Sequence, residues 1–205
     1  MEQRSEEWYA ARCGSLGASQ VALALARTKS GWGGSRQNVM AELICERLTG
    51  QNAEGFTSAA MRWGVDMEPI ARSAYEFLRD ADVIEIGIVT HPVIAGTHAS
   101  PDGLVGDDGL IEIKCPQSAT HLDTLLSGKV PAKYITQTQW QMACTGRQWC
   151  DFVSYDPRFP GDLSLWVRRV ERDAEAIEQM EQEVSDFLAD LEGKLAVLQV
   201  MRDAA

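Results

Sequence analysis

The chain has 205 residues and 22.6 kDa, with 45% hydrophobic and 24% charged residues, which excludes disordered, collagenous and fibrous classes. Its net charge of −11, from 19 bases and 30 acids, argues at first against a nucleic-acid partner, because phosphate binding normally leaves a basic footprint. No apolar run is long enough to cross a membrane, and the acidic start Met1 to Glu7 is unlike a signal peptide, so a cytoplasmic location is expected.

In chain order, Ser5 caps a short helix with Glu6 and Glu7 in its first turn, followed by Trp8 and Tyr9. Gly17-Ala18-Ser19 opens an alanine-rich helix from Val21 to Ala26, and Gly31 to Ser35 reads as a flexible loop. Met40, Leu43, Ile44 and Leu48 recur at helical spacing until Thr49-Gly50 stops them. A longer helix is predicted from about Ser58 to Leu78, with Ile70, Ala74 and Phe77 inward. Strands follow at Val83 to Val89, Val93 to His98, Gly103 to Val105 and Leu110 to Lys114. Asp107-Asp108-Gly109 joins the last two as a hairpin turn. A helix lies within Ala132 to Thr145, and strands are predicted at Trp149 to Tyr155 and Leu163 to Val170.

The tail from Glu171 to Arg202 is a long amphipathic helix, with Ile177, Met180, Val184, Phe187, Leu191, Leu195 and Leu198 stepping by three or four. Residues 1–170 hold 20 acids and 16 bases, so residues 171–205 carry −7 of the −11. The bland account of that acidic run is a solvated helix face. The succession of elements indicates an α/β (α+β) fold with one central mixed sheet flanked by helices. A single domain over residues 1–205, with 171–205 as a helical extension, is expected. The five cysteines (Cys13, Cys45, Cys115, Cys144, Cys150) form no Cys-x-x-Cys, and His91, His98 and His121 do not cluster with them. Reduced, buried thiols are expected rather than zinc or disulfides.

One segment carries chemistry: Ser100-Pro101-Asp102-Gly103-Leu104-Val105, then Leu110-Ile111-Glu112-Ile113-Lys114. Strand alternation places Leu110, Glu112 and Lys114 on one face, with Ile111 and Ile113 on the other. Across the hairpin, Asp102 can meet Glu112. Two converging carboxylates repel unless a cation sits between them, and hard oxygen ligands suit magnesium or manganese. A lysine beside such a site can orient water and neutralise charge on a phosphate. The alternative is a turn residue, Asp102, next to a surface Glu112–Lys114 pair on an edge strand. Against it, charges inside an otherwise apolar strand cost several kcal/mol, by order of magnitude, unless paired or metal-bound.

Asp102 with Glu112-Ile113-Lys114 resembles the signature of the PD-(D/E)xK nuclease superfamily. More narrowly, the chain resembles the phage lambda exonuclease family, also described as alkaline exonucleases or YqaJ-like viral recombinases. The resemblance runs from Trp8 to Val170 through several blocks in order. They are Trp8-x-x-x-Arg12-x-Gly14, Gly17-Ala18-Ser19, Trp63-Gly64-x-x-x-Glu68-x-x-Ala71-Arg72, the two halves of the carboxylate motif with Cys115-Pro116, Gln137-x-Gln139 and Tyr155-Asp156-Pro157-Arg158.

The resemblance implies a restriction-endonuclease-like sheet and Mg²⁺-dependent 5′-to-3′ digestion of linear double-stranded DNA, leaving 3′ single strands. It further implies a two-metal mechanism, Mn²⁺ as a substitute ion, a ring-shaped homotrimer and a single-strand annealing protein as partner in phage recombination. On this chain it makes Asp102, Glu112, Glu68 and the carbonyl of Ile113 the metal ligands, and Lys114 the residue that positions or activates water. Arg12 and Ser19 would grip a 5′-phosphate, and Ser19 opens a helix, where free N–H groups favour an anion. Ser100 and Gln137 would surround the metal site, and Trp8 would stack on or wedge apart the terminal bases.

Plainer roles stand beside these: Glu68 and Gln137 facing solvent, Arg12 paired with Glu6 or Glu7, and Trp8 in the core. The remaining tryptophans, including Trp63, Trp140 and Trp149, are expected in the core. Two other functions compete with the exonuclease: a restriction- or repair-type endonuclease sharing only the catalytic motif, and a non-catalytic acidic DNA mimic.

Overall fold

In the computed structural model of the chain, residues 3–29, 31–53 and 58–204 are described. Met1 and Glu2 of the polar N-terminal run lie outside them. The Ser5 hydroxyl caps α1 (Glu6–Arg12), accepting from the Trp8 N–H at 3.2 Å. A two-residue strand, β1 (Leu16–Gly17), leads into α2 (Ala18–Ala24), which buries Ala18, Val21 and Ala24. The expected loop at Gly31 to Ser35 is partly regular: β2 (Arg27–Thr28) pairs with β3 (Gly31–Trp32), and α3 (Gly34–Thr49) starts immediately after.

Next comes α4 (Ala59–Arg79), capped by Ser58. Its expected inward set needs correction. Ile70 is 49% and Phe77 92% exposed, whereas Ala71 and Tyr75 are buried. The helix carries two adjacent apolar stripes, and the sheet beneath selects one. Tyr75 donates its hydroxyl to the buried carboxylate of Asp151 at 2.9 Å, and Arg169 grips the same carboxylate with two hydrogen bonds.

The predicted strand from Val83 to Val89 breaks into β4 (Val83–Ile84) and β5 (Val89–Thr90), which join different sheets. Val93 to His98 narrows to β6 (Thr97–Ala99), because the chain turns through Gly96 at φ 81°. The hairpin β7 (Gly103–Val105) and β8 (Gly109–Lys114) forms as expected, with Gly103 opposite Ile111. Helix α5 (Ser118–Ser127) was not anticipated, whereas α6 (Ala132–Thr145) was. Strands β9 (Trp149–Tyr155) and β10 (Leu165–Glu171) are antiparallel, and a 3-10 turn at Gly161–Leu163 takes the start of the expected second strand.

The central mixed sheet runs β10-β9-β8-β7-β4, with β8 and β9 parallel. A three-stranded sheet β1-β6-β5 adds to the single sheet expected. Strand β8 is therefore interior, which removes the edge-strand account of Glu112 and Lys114. Its alternation holds: Leu110 joins the larger apolar core with Trp140, Phe152 and Phe187, while Ile111 and Ile113 pack under α4 with Ala71 and Tyr75.

The last helix, α7 (Ala174–Asp203), packs on α2, α3 and α6 through Ile177, Val184, Phe187, Leu188 and Leu191. Its acidic face is more than solvated surface. Arg27 pairs with Glu183 at 2.9 Å, Arg36 with Asp190 at 3.9 Å, and Arg47 with Glu192. Each such pair contributes about 1 kcal/mol or less, but together they set the excess acid against bases of the first third of the chain. All five cysteines are free thiols, of which only Cys144 and Cys150 are buried; Cys45 is exposed, against expectation. Trp32 also leaves the core: it is 43% exposed and lies between the guanidinium groups of Arg27 and Arg36.

Candidate active site

The β7–β8 register brings Asp102, the residue before β7, beside Ile113, whose N–H donates to Asp102 Oδ2 at 2.6 Å. The following residue must be glycine for space: a Cβ on Gly103 would lie 2.2 Å from Val83 Cγ1. Glu112 is 1% exposed and held on three sides. Gln137 Nε2 donates to Oε1 at 2.7 Å, Gln141 Nε2 donates to Oε2 at 2.5 Å, and Lys114 Nζ ion-pairs with Oε1. The two glutamines are four residues apart, so one face of α6 presents both. That satisfies a carboxylate whose bare burial would cost several kcal/mol, by order of magnitude. It also removes the solvent-facing account of Gln137.

Burial, then Glu112 and Glu68, push the Asp102 carboxyl well above the ordinary carboxylate range, while Lys114 and the Ile113 N–H act in the opposite sense. Burial pulls the Lys114 ammonium down, but Glu112 and Asp102 outweigh it and hold the group above its ordinary value. Lys114 is therefore a charged donor at neutral pH. A cavity of about 460 Å³ is lined by Glu68, Asp102, Ile113, Lys114, Arg4 and Tyr134, among others.

Glu68 reaches this cavity from α4 but is paired with Arg4 at 2.7 Å and Arg72 at 3.0 Å. Among the described residues, no group of three or more His, Cys, Asp or Glu side chains is placed to hold a metal ion. The reason is visible: Glu68 turns to two arginines, and Glu112 to two glutamines and a lysine. The chemistry of the donors still fits a hard divalent cation. The carboxyl groups and the Ile113 carbonyl are all oxygen donors, and their mutual repulsion is felt at Asp102.

A second cavity, about 590 Å³, is lined by Arg4, Trp8, Arg12, Ser15, Gln20 and His98, among others. Arg12 forms no ion pair with Glu6 or Glu7; its guanidinium lies 4.1 Å from the Trp8 ring centroid. Burial lowers its pKa, opposed by Tyr9 and Glu46. Trp8 is half-buried, and its indole N–H donates to Ser100 Oγ at 3.1 Å; Ser100 in turn donates to the Gly87 carbonyl at 2.7 Å. Ser100 thus ties α1 to the strand entrance beside Asp102. Ser19 is exposed and lines neither cavity; its neighbour Gln20 lines the second.

Not singled out by the sequence pattern are Gln141, which clamps Glu112, and the wall residues Arg4, Ser15 and His98. The spacing of Gln137 and Gln141 was a usable signal. Arg4 and Ser15 lie far from the carboxylate motif in sequence and meet it only through folding, whereas His98 stands four positions before Asp102. Two of the quoted blocks also touch each other: Arg158 lies 4.7 Å from the Trp63 ring centroid and is fixed by Asp156.

Residues 7–148, more than half of the chain, match the YqaJ-like viral recombinase domain. The chain belongs to the YqaJ-like viral recombinase family. A solved alkaline exonuclease from Laribacter hongkongensis is similar to this family member at 52% identity, covering 98% of this chain and 99% of that one with a TM-score of 0.92. The same values hold for the structure of that exonuclease in complex with dAMP. A phage-related exonuclease from Haemophilus somnus 129PT shares the fold with a TM-score of 0.70 at 14% identity, over 90% of this chain and 96% of that one. No curated protein matches the chain. The α/β architecture with its long final helix is thus the alkaline exonuclease fold.

Proposed function

We propose that this YqaJ-like chain is a Mg²⁺-dependent 5′-to-3′ exonuclease that digests linear double-stranded DNA and leaves 3′ single strands. One observation carries the reading: an interior strand sets Glu112 beside Lys114 and brings Asp102 against them, and Asp102 and Lys114 line a cavity together with Glu68. The 52% identity to an alkaline exonuclease supports the exonuclease class.

Asp102, Glu112, Glu68 and the Ile113 carbonyl would hold a two-metal site, for which Mn²⁺ can substitute. When bound, the cations supply a low-pKa water and neutralise charge developing on the scissile phosphate. Gln137 and Gln141 hold the Glu112 carboxylate in one orientation. Lys114 orients the attacking water through its N–H donors and offsets phosphate charge. Arg12, stacked on Trp8, takes the 5′-terminal phosphate, with Ser100 bracing the indole and the Trp8 ring available to the terminal bases. Ser19 is left without an assigned contact.

The charge balance is consistent with this. Much of the acid belongs to α7, where arginines from the first third of the chain meet it, and the two cavities carry Arg4, Arg12 and Lys114. The reading extends to a ring-shaped homotrimer enclosing DNA, a single-strand annealing protein as partner in phage-type recombination, and action in the cytoplasm. It treats residues 1–205 as one nuclease domain with 171–205 as a helical extension; the packing of α7 on α2, α3 and α6 supports this.

The test is digestion of end-labelled linear duplex beside closed circular plasmid, with Mg²⁺ and with EDTA. The expected result is 5′-to-3′ loss of the linear substrate, an intact circle and no activity in EDTA. Cutting of the circle would establish the endonuclease instead, and absence of any Mg²⁺-dependent cleavage would favour the DNA mimic.

A further inference from the structure

The wall of the Arg12 cavity contains one polar atom without a partner. His98 lies on β6 and is 2% exposed; its Nδ1 shares a 2.8 Å hydrogen bond with Ser15 Oγ. Its Nε2 is buried and meets no hydrogen-bond partner among the described residues. An orphaned polar atom of this kind costs free energy comparable to a lost hydrogen bond, so a core histidine normally satisfies both nitrogens. His121 does so, through Ser154 and the Leu163 carbonyl.

His98 Nε2 faces Gly17 and Arg12 in the wall of this cavity. Gly17 faces it with ordinary backbone angles, φ −81° and ψ 150°, so glycine is not required there for conformation. Its missing side chain matters instead: a Cβ would lie 3.2 Å from His98 Nε2 and 3.7 Å from Arg12 Nη2. The imidazole nitrogen and a guanidinium therefore lie beside the same glycine. Burial and then Arg12 pull the His98 pKa down to about 4, so the ring is neutral at physiological pH. The direction of the Ser15–Nδ1 hydrogen bond is set by the tautomer of the ring. With Ser15 donating, the single ring proton sits on Nε2.

We propose that His98 Nε2–H is a second donor, beside Arg12, to the terminal phosphate of the DNA strand, with Ser15 as the positioning residue that sets its tautomer. This deepens the reading of Arg12 as phosphate anchor and rests on it. A neutral donor adds direction to the contact without adding charge, so it separates phosphorylated from hydroxyl ends by geometry.

The experiment measures kcat/KM on linear duplexes bearing 5′-phosphate or 5′-hydroxyl ends, for wild type, Arg12→Ala, His98→Ala and His98→Gln. His98→Ala should lower the phosphate-to-hydroxyl ratio about tenfold, mainly through KM, as expected for one hydrogen bond to a charged group. His98→Gln, which keeps an N–H donor, should recover part of the ratio. A purely structural role would lower both substrates alike and leave the ratio at the wild-type value, which overturns the proposal. If Arg12→Ala lowers the ratio and His98→Ala does not, only the histidine inference fails; if neither does, the phosphate pocket itself is misplaced. A second readout needs no variant: histidine side-chain ¹⁵N spectra of the wild type. The Nε2–H tautomer should be present in the free protein, and Nε2 should shift with a 5′-phosphorylated oligonucleotide but not with its 5′-hydroxyl counterpart. An Nδ1–H tautomer, or equal shifts with both, would refute it.

Discussion

The carboxylate cavity and the Arg12 cavity share Arg4 in their walls but are built from different materials. The first rests on interior strands: Asp102 and Glu112 flank a hairpin whose backbone register holds them, and α6 clamps Glu112 with two amides. The second draws Trp8 and Arg12 from α1, a helix with no buried residue, together with Ser15 from the turn before β1 and His98 from the small sheet. Its fixed points include the Ser5 cap, the Trp8–Ser100 hydrogen bond and the Ser15–His98 pair. Groups that must hold charge against charge are pinned by the sheet ladder. The groups proposed to meet a DNA end sit on lighter elements, which can adjust to what they bind.

That contrast can be broken at either end. The largest effect is expected from Lys114→Ala, which should slow digestion of linear duplex by a factor on the order of 10² to 10⁴. A near-normal rate would remove Lys114 from the chemistry. Gln141→Leu leaves Glu112 with one clamping amide and should raise the Mg²⁺ concentration for half-maximal rate by about ten- to a hundredfold. An unchanged Mg²⁺ titration would mean that the clamp does not serve the metal site. Arg12→Ala should reduce the preference for phosphorylated over hydroxyl ends by about tenfold, read from the ratio of kcat/KM values. Loss of activity on both ends in equal measure would make Arg12 structural.

The last effect is thermodynamic. The folded-state pKa of His98, about 4, lies below the ordinary 6.5. Between those values the unfolded chain takes up a proton that the folded chain refuses. Stability is therefore fully present above pH 6.5 and declines as pH falls through about 4, by at most about 1.4 kcal/mol per pH unit. Melting temperatures across that window should fall more steeply for wild type than for His98→Gln. Parallel curves would show that His98 is not held neutral.

The motif residues were legible because strand alternation is a local property. Leu110 to Lys114 could place charge on one face and apolar side chains on the other whatever lay around them, and the folded strand keeps that division. The helix of α6 and the apolar steps of α7 were legible for the same reason. Where the local period is ambiguous, it does not fix the buried face. On α4 two neighbouring stripes compete: the spacing points Ile70 and Phe77 inward, whereas the sheet receives Ala71 and Tyr75. Short strands such as β4, β5 and β6 have too few residues for any period to show.

By itself, then, the amino-acid order determined which side chains share a strand face and where the long helices run. Only the tertiary structure decided that β8 is interior, that Gln141 clamps Glu112, and that the acids of α7 meet Arg27, Arg36 and Arg47. It alone brought Ser15 to His98, 83 positions away, beside Arg12. Periodicity is written in neighbouring residues, whereas such meetings depend on strand order and register, which are settled only when the whole chain packs.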